Sequence, residues 1–283
     1  MLTGFINVLK PCGATASDVV VKLRKILGER KIGHLGTLDP GAVGVLPIAV
    51  GNATKLFDLL TNKQKTYRAF FTFGKTTDTL DSYGQVVATG SIPSASDVLA
   101  ATKAFLGNIE QIPPIYSAIS VGGVRAYDLA RSGKDVQLKK RSVTIFAYDF
   151  VSQLSDDTYV FDITCSGGTY IRSLARDLAE SVGTVGYMSG LIRLKSGCFD
   201  IDNALTLDEI ELLKTDALLP ITYPLDEYSC LEIDEKYYVK LLNGVRIDAQ
   251  FDGLKKIYCK GELFGLYECV DGKLVSRFNL RNA

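Results

Sequence analysis

A glycine-rich stretch, residues 33–51, constrains the fold of this chain more than any other segment. It reads GHLGTLDPGAVGVLPIAVG and holds five glycines, two prolines, the only histidine of the chain and a single acid, Asp39. The front half is too rich in glycine for a regular helix or strand, because glycine favours sharp turns and close backbone approach. Val43 to Val50 predicts a buried strand that ends at Gly51. Asp39 is therefore expected on a tight loop that leads into a core strand.

Asp39 has two interpretations at this level. Asp-Pro is a common turn pair, so the carboxylate can simply cap the turn that it starts. Alternatively, a carboxylate on a loop that a rigid scaffold holds in place is a frequent position for catalysis. The spacing alone leaves both interpretations open.

The composition is that of a soluble globular protein large enough for one large domain and a small one. The chain has 283 residues, of which 47% are apolar and 23% are charged. No apolar run reaches the length of a membrane span, and the N-terminal segment lacks the basic and apolar regions of a signal peptide. We therefore expect a cytoplasmic protein that does not bind a membrane.

The residue patterns give no sign of a metal or a cofactor. The six cysteines form no C-x-x-C pair, and one histidine cannot complete the usual Cys/His zinc sets. Gly74-Lys75-Thr76 resembles the end of a phosphate-binding loop, but that motif requires glycine where Ala69 stands. We predict no metal site and no bound cofactor.

The charge is zero overall but unevenly distributed. Residues 1–75 carry 11 Lys and Arg against 4 Asp and Glu, whereas residues 200–238 carry 2 against 11. Such asymmetry is typical of a protein with one face that attracts polyanions. The alternative is that two solvated faces happen to differ in charge.

Three further segments carry polar side chains of interest. The aromatic strand predicted at Lys65–Gly74 places Tyr67 on one face, and the loop after it contains Asp78 and Asp81, which we interpret as solvated loop acids. A helix that begins after Thr169 has Arg172 in its first turn. A cation there opposes the helix dipole, so its position indicates a nearby anion or carboxylate.

The middle of the chain contains an irregular stretch, and a separate unit lies near the C-terminus. Aromatic and basic residues alternate from Ile112 to Arg141, a pattern typical of an arm that grips nucleic acid. An acidic segment with one short helix, residues 200–228, leads to a unit of several short strands at residues 229–283.

Several stretches of the chain form an ordered set of motifs, in which x marks an unspecified position. The longest is Gly33-His34-x-Gly36-Thr37-Leu38-Asp39-Pro40-x-Ala42-x-Gly44-Val45-Leu46-Pro47. The others are Lys10-Pro11-x-Gly13 with Thr15 and Ser17, Lys65-Thr66-Tyr67, Thr77-Asp78-Thr79-x-Asp81-x-x-Gly84, Pro114-x-Tyr116-Ser117-Ala118, Cys165-Ser166-x-Gly168-Thr169-Tyr170-Ile171-Arg172 and Leu191-x-Arg193-x-x-Ser196-Gly197. This set closely resembles the TruB family, the bacterial tRNA pseudouridine synthases that act on U55. The resemblance covers residues 1–225 continuously.

The resemblance implies a fold and a domain organisation. The fold is α+β, the pseudouridine-synthase fold, with a large, mostly antiparallel mixed sheet flanked by helices and a cleft across it. The catalytic domain would span residues 1–228, with an RNA-gripping arm at about 112–141. Residues 229–283 would form a small PUA-like β module, for which the resemblance is less distinct.

The resemblance also implies roles for particular residues. Asp39 would be the catalytic aspartate, with Tyr67 and Arg172 taking part in catalysis. The residues implied to bind the RNA are His34, Tyr67, Tyr170, Leu191 and Lys10. Lys10 and Arg172 would in addition support the site, and His34 is expected to be exposed on the loop.

These roles fit the chemistry of pseudouridine formation. The reaction breaks the N1–C1′ bond of uridine, turns the uracil over and joins C5 to C1′, so the base must leave the stack. An ionised Asp39 can add to C1′ or C6 or remove a proton from C2′. Tyr67 offers a ring that stacks on the uracil and a hydroxyl that can move a proton at C5.

The resemblance implies the T-stem-loop of tRNA as partner, no obligatory protein partner and a monomer. Two other functions remain open from the sequence. One is an RNA-binding or RNA-folding protein without chemistry. The other is a synthase of the same fold that acts in a guide-RNA complex, against which the short C-terminal unit and the absence of long basic tails argue.

Overall fold

The structure is a computed structural model that describes residues 2–61, 63–117, 120–121, 124–125 and 138–281. The strands within these residues are β1 (Gly4–Lys10), β2 (Ile32–His34), β3 (Val43–Val50), β4 (Lys65–Phe73), β5 (Lys75–Thr77), β6 (Val86–Thr89), β7 (Gly107–Gln111), β8 (Ser120–Val121), β9 (Val124–Arg125), β10 (Arg141–Ser155), β11 (Thr158–Cys165), β12 (Gly186–Ser196), β13 (Phe199–Asp200), β14 (Cys230–Glu232), β15 (Lys255–Cys259), β16 (Glu262–Val270) and β17 (Lys273–Asn279).

The α-helices in the described residues are α1 (Ala16–Leu27), α2 (Phe57–Thr61), α3 (Ala95–Ala101), α4 (Ile171–Ser181), α5 (Leu207–Leu213) and α6 (Tyr238–Leu242). Short 3₁₀ helices cover Gly51–Leu56, Thr102–Phe105, Ile201–Asn203, Lys214–Ala217, Tyr223–Leu225 and Glu235–Tyr237. No helix within the described ranges is long and apolar enough to cross a membrane.

A mixed sheet of nine described strands forms the centre of the molecule. Its order is β1-β3-β12-β4-β11-β10-β7, with β2 on β3 and β13 on β12. The pair β3–β12 is parallel, and the other pairs in this sheet are antiparallel. The predicted large, mostly antiparallel mixed sheet flanked by helices is confirmed.

Apolar side chains on both faces of the sheet explain this arrangement. On the β1–β3 side, Ile6 and Ile48 pack with Val19 of α1 and Ile210 of α5. On the other side, the alternating residues of β4 pack in a second cluster with α3 and α4, as the period of two predicts. That cluster contains Tyr67, Ala69, Phe71 and Phe73, together with Val98 of α3 and Leu174 and Leu178 of α4.

The prediction that the front of the 33–51 stretch is irregular is wrong at its start. Residues 32–34 form the short strand β2, whose Gly33 pairs with Ala49 and whose His34 pairs with Ile48. Glycine is tolerated there because β3 supplies the partner backbone groups that an isolated Gly-rich segment lacks. The predicted buried strand Val43–Val50 is confirmed as β3.

The C-terminal unit is a four-stranded sheet of order β14-β15-β16-β17 with its own apolar cluster. It does not stand alone, because Leu266 and Leu280 pack in one cluster with Phe5 and Val45 of the large sheet and with Leu56 of the 3₁₀ helix after β3. A small β module is therefore present, packed against the main sheet. The predicted arm at 112–141 falls largely on residues 118–119, 122–123 and 126–137, which lie outside the described residues.

Candidate active site

Asp39 lies in the turn between β2 and β3. The N–H of Ala42 donates to the Asp39 carbonyl at 3.0 Å, which closes a tight turn around Pro40 and Gly41. The Asp39 side chain is 36% exposed, so its carboxylate is reachable from solvent. Asp39 thus starts a turn, as one sequence interpretation requires, while its carboxylate remains free for other partners.

Arg172 holds that carboxylate from two sides. Its Nε lies 3.0 Å from Asp39 Oδ2, and its Nη2 donates to Oδ1 at 3.3 Å. Arg172 is in the first turn of α4 and its side chain is only 8% exposed. The carboxylate that the unfavourable dipole position indicated is therefore Asp39, and the two-pronged geometry fixes its orientation.

Asp81 is the second carboxylate on Arg172, so the prediction of a solvated loop acid is wrong for this residue. Arg172 Nη1 lies 3.3 Å from Asp81 Oδ2 and 3.1 Å from the Thr79 carbonyl oxygen. The Asp81 side chain is 17% exposed, because the β5–β6 loop folds over α4 instead of extending into solvent. Arg172 Nη2 also donates to the Tyr116 carbonyl at 3.1 Å, at the start of the predicted arm.

Lys10 supports the turn from the opposite strand. Its side chain is fully buried, and its ammonium donates to the carbonyls of Pro11, Ala14 and Pro40 at 2.8, 2.6 and 3.2 Å. The three donors of the ammonium are thereby satisfied. The structure places Lys10 under the Asp39 turn, where it positions the loop, rather than at a surface that RNA reaches.

Arg193 has the same supporting role, which sequence analysis missed. It is fully buried on β12, with Nε donating to the Val45 carbonyl at 2.6 Å. Its Nη1 and Nη2 donate to the carbonyls of Thr37 and Gly36 at 3.2 and 3.4 Å. Lys10 and Arg193 together hold both ends of the loop that carries Asp39.

Gly44 allows the backbone of Arg193 to approach β3 closely. It pairs with Arg193 across the parallel β3–β12 contact and with Lys10 across β1. Its φ is +107°, and a Cβ there would lie 2.3 Å from the Arg193 carbonyl oxygen. Glycine is therefore required at this position for both conformation and space.

Tyr67 and Leu191 form an apolar surface, here called the floor, beside the Asp39 turn. Both are buried and belong to the same apolar cluster as Leu38 and Ala42, which flank Asp39. Burial raises the pKa of Tyr67, so the phenol is neutral at pH 7. The structure brings these two predicted residues to the loop that carries Asp39.

Tyr170 caps the N-terminus of α4, two residues before Arg172. A fully buried amide fixes it: the Tyr170 N–H donates to Gln111 Oε1 at 2.8 Å, and Gln111 Nε2 donates to the Tyr170 carbonyl at 3.0 Å. The Arg141 guanidinium lies 5.9 Å from the centre of the Tyr170 ring. The ring thus lies beside Arg141, at the C-terminal end of the predicted arm.

His34 differs from its expected position. It lies in β2 and is half-buried, with a buried Nδ1 that has no partner among the described residues. Burial and the Arg193 charge lower the pKa of His34. The prediction of a histidine exposed on the loop is wrong because pairing with β3 draws it into the sheet.

The sequence contains a signal for the supporting roles of Arg193 and Asp81. Arg193 lies two residues after Leu191 in the same strand, so both side chains face the core. A charged side chain in the core requires buried partners. Asp81 is a motif position, like Arg172. Gln111 gave no such signal, because its partner is the backbone of a residue that is 59 positions away.

Comparison with known proteins identifies the family. The family model described as TruB family pseudouridylate synthase (N terminal domain) matches residues 24–171. Proteins called tRNA pseudouridine synthase B are 43% identical in Listeria innocua, over 86% of this chain and 84% of theirs, and 40% identical in Clostridium kluyveri, over 98% of this chain and 100% of theirs. The relative from Alkaliphilus oremlandii is 41% identical over 88% of this chain and 84% of its own.

Solved structures confirm the predicted pseudouridine-synthase fold. A chain in the crystal structure of a Cbf5–Nop10–Gar1 complex superposes with a TM-score of 0.71 at 24% identity, covering 94% of this chain and 78% of that one. A chain in the structure of an H/ACA RNP bound to a substrate RNA containing 2′-deoxyuridine gives 0.70 at the same identity and coverage. At this identity the likeness concerns the fold alone. The sequence matches go further: this chain belongs to the TruB family of pseudouridylate synthases.

Proposed function

We propose that this protein isomerises uridine 55 in the T-loop of tRNA to pseudouridine, with Asp39 as the catalytic group. The observation that carries the proposal is the Asp39 carboxylate, oriented by two Arg172 donors beside a floor made by Tyr67 and Leu191. The family supplies the reaction class, an isomerisation, and the curated relatives supply the tRNA substrate in their names.

The reaction conserves the atoms of the uridine. The N1–C1′ bond breaks, the C5–C1′ bond forms, and the proton that leaves C5 is balanced by one gained at N1. A carboxylate in the ionised form can add to C1′ or C6 or take the C2′ proton, and Arg172 orients the Asp39 carboxylate through a charge-assisted pair. All three routes need an Asp39 carboxylate in a fixed orientation, and the two Arg172 donors supply that.

Tyr67 is suited to stacking on the flipped base more than to acting as a strong base. Its pKa is raised by burial, so a phenolate is not available at pH 7. A neutral hydroxyl can still relay the C5 proton through its lone pair. Leu191 packs in the same cluster and would hold the opposite side of the uracil. Tyr170 would close the pocket from the α4 end.

Lys10 and Arg193 position the loop in this scheme and do not touch the substrate. Their buried charged groups donate hydrogen bonds to backbone carbonyls, and these bonds keep the Asp39 turn in one conformation before RNA binds. Such preorganisation lowers the cost of reaching the reactive geometry.

We further propose that the protein acts in the cytoplasm as a monomer without an obligatory protein partner. The division into a catalytic domain at 1–228 and an RNA-binding module at 229–283 is part of the same proposal. Light scattering of the purified protein, free and with tRNA, tests the stoichiometry; a stable dimer would contradict it.

An unmodified tRNA transcript tests the main proposal. Wild-type protein and Asp39→Asn are each mixed with the transcript, and pseudouridine is scored by position. We expect the wild type to convert U55 and Asp39→Asn to bind the transcript without converting it. Wild-type protein that binds tRNA and converts nothing would support the alternative of an RNA-binding protein without chemistry.

A further inference from the structure

Three positions that the family motifs leave unspecified meet on the surface beside Asp39. They are Cys12, between Pro11 and Gly13; Gly41, after Pro40; and Tyr83, two residues after Asp81. Each lies next to or between residues that hold the catalytic turn, yet none is itself a motif residue. The feature they form is therefore not described by the motifs and is defined here by its contacts.

The Tyr83 ring lies directly on the catalytic turn. A Cβ at Gly41 would be 2.1 Å from Tyr83 Cε2, so any larger residue at position 41 would displace the ring. Cys12 Sγ donates to the Gly41 carbonyl at 3.5 Å and lies 3.8 Å from the Tyr83 hydroxyl oxygen. Gly41 and the small thiol of Cys12 thus form the surface on which this ring packs.

The backbone of Tyr83 is tied to the same network. Its N–H donates to Asp81 Oδ1 at 3.0 Å, while the other oxygen of that carboxylate pairs with Arg172. Tyr83 is therefore held through its backbone by Asp81 and at its hydroxyl end by Cys12. Even so, Tyr83 is 64% exposed. An aromatic ring that is held in place and still presents most of its surface to solvent is a ready contact for a flat ligand.

We propose that Tyr83 is a base-stacking residue that receives a nucleotide next to the target uridine. The proposal rests on the proposed function, because it assumes that RNA occupies the Asp39 pocket. Flipping one base out of a loop leaves its neighbours without a stacking partner, and unpaired bases stack on exposed aromatic rings in RNA-binding proteins. The Tyr83 ring contacts Gly41, two residues from Asp39, and therefore lies within reach of a nucleotide adjacent to the one in the pocket.

Binding in a non-converting background tests this role. Asp39→Asn is combined with Tyr83→Ala, Tyr83→Leu and Tyr83→Phe, and the Kd for an unmodified tRNA transcript is measured at fixed salt. Loss of one base–aromatic stack corresponds to a Kd that is between about 5- and 150-fold weaker, expected for the alanine and leucine variants. The phenylalanine variant is expected to recover binding to within about 2-fold, since it keeps the ring.

Two outcomes of this experiment would overturn the proposal. An alanine variant that binds as tightly as its Asp39→Asn parent would show that the ring does not meet RNA and only braces the turn. A phenylalanine variant as weak as the alanine variant would assign the effect to the hydroxyl and not to stacking. Thermal unfolding of each variant is compared with the parent, because a largely exposed ring should contribute little to the melting temperature.

Fluorescence supplies a readout that a purely structural role would not change. The chain contains no tryptophan, so Tyr83→Trp carries a single indole at this position. Saturation with tRNA should quench its emission through stacking. Leu212→Trp is the matched control, because Leu212 is 85% exposed on α5 in the acidic segment, whose negative charge should repel RNA. Equal emission changes in the two variants would contradict the proposal.

The two proposals fail in different ways. If wild-type protein converts U55 and Tyr83→Ala binds normally, only the stacking role is lost. If wild-type protein converts nothing while Tyr83→Trp is quenched by tRNA, the ring meets RNA and the proposed reaction is lost.

Discussion

The two donors of Arg172 that face Asp39 come from a helix 133 residues further along the chain, and they meet both oxygens of its carboxylate. The same guanidinium also reaches Asp81, so one side chain joins the Asp39 turn, the β5–β6 loop and α4. This junction makes the orientation of Asp39 depend on a planar, forked cation and not simply on positive charge.

Arg172→Lys therefore separates geometry from charge. Lysine keeps the cation but cannot face both oxygens of Asp39, so the single-turnover rate of pseudouridine formation should fall at least about 100-fold. The Kd for tRNA should stay within about 3-fold, because Arg172 is buried behind Asp39. Arg68→Lys is the control: Arg68 makes an equivalent two-pronged pair with Asp162 on the other face of β4. Equal losses in both variants would contradict a special role for Arg172.

Asp81→Asn tests the second anchor of Arg172. The amide keeps the shape but loses the charge that faces Arg172 Nη1, so the rate should fall by about 10- to 100-fold while binding persists. Asp78→Asn is the matched control in the same loop, because its carboxylate accepts from the Gln85 N–H and not from Arg172. An Asp81→Asn rate equal to that of Asp78→Asn would assign Asp81 to loop structure alone.

Gly44→Ala should destabilise the protein by about 3 kcal/mol in urea unfolding. The new Cβ would meet the Arg193 carbonyl oxygen at 2.3 Å, and the left-handed φ adds strain. Gly33→Ala, in the same glycine-rich stretch, meets nothing within 4 Å and should stay within about 0.5 kcal/mol of wild type. A Gly44→Ala protein of wild-type stability would show that β3 and β12 can separate without cost.

His34 can be titrated directly by NMR, since it is the only histidine. Burial and the Arg193 charge lower its pKa, so the imidazole should titrate below 6.5 and be neutral at pH 7. The unfolded chain takes up a proton at higher pH than the folded one, so the histidine reduces stability as the pH falls below 6.5. A titration midpoint at or above 6.5 would contradict the buried environment.

Lys65 changes the free energy of unfolding at alkaline pH, whereas His34 changes it at acidic pH. Burial lowers its pKa to about 8, and its ammonium donates to the Thr61 and Lys63 carbonyls. Between about pH 8 and 10.5 the unfolded chain holds the proton that the folded protein has released, so the free energy of unfolding should rise there. Relative to Lys65→Met, the gain should approach about 3 kcal/mol by pH 10.5. Parallel curves for the two proteins would contradict a buried, perturbed lysine.

The sequence predicted those features that depend on local pattern. The alternation of side chains in β4 predicted which face carries Tyr67. The unfavourable position of Arg172 in the helix dipole indicated a nearby anion or carboxylate, which is Asp39. Features that depend on distant partners were not predictable in this way. Asp81 looked solvated because its arginine lies 91 residues away, and His34 looked exposed because nothing local showed that β3 would pair with it.

The position of β12 has a consequence for synthesis on the ribosome. This strand lies inside the sheet, between β3 and β4, yet it is made after β1, β3, β4, β7, β10 and β11. Until it emerges, the nascent chain carries two half-sheets, each with an open edge. At ordinary translation rates, the interval from the end of β4 to the end of β12 lasts on the order of 10 s. Over that time the exposed edges are candidates for chaperone binding, and a ribosome stalled before residue 186 would hold a chain whose Asp39 turn lacks Arg193.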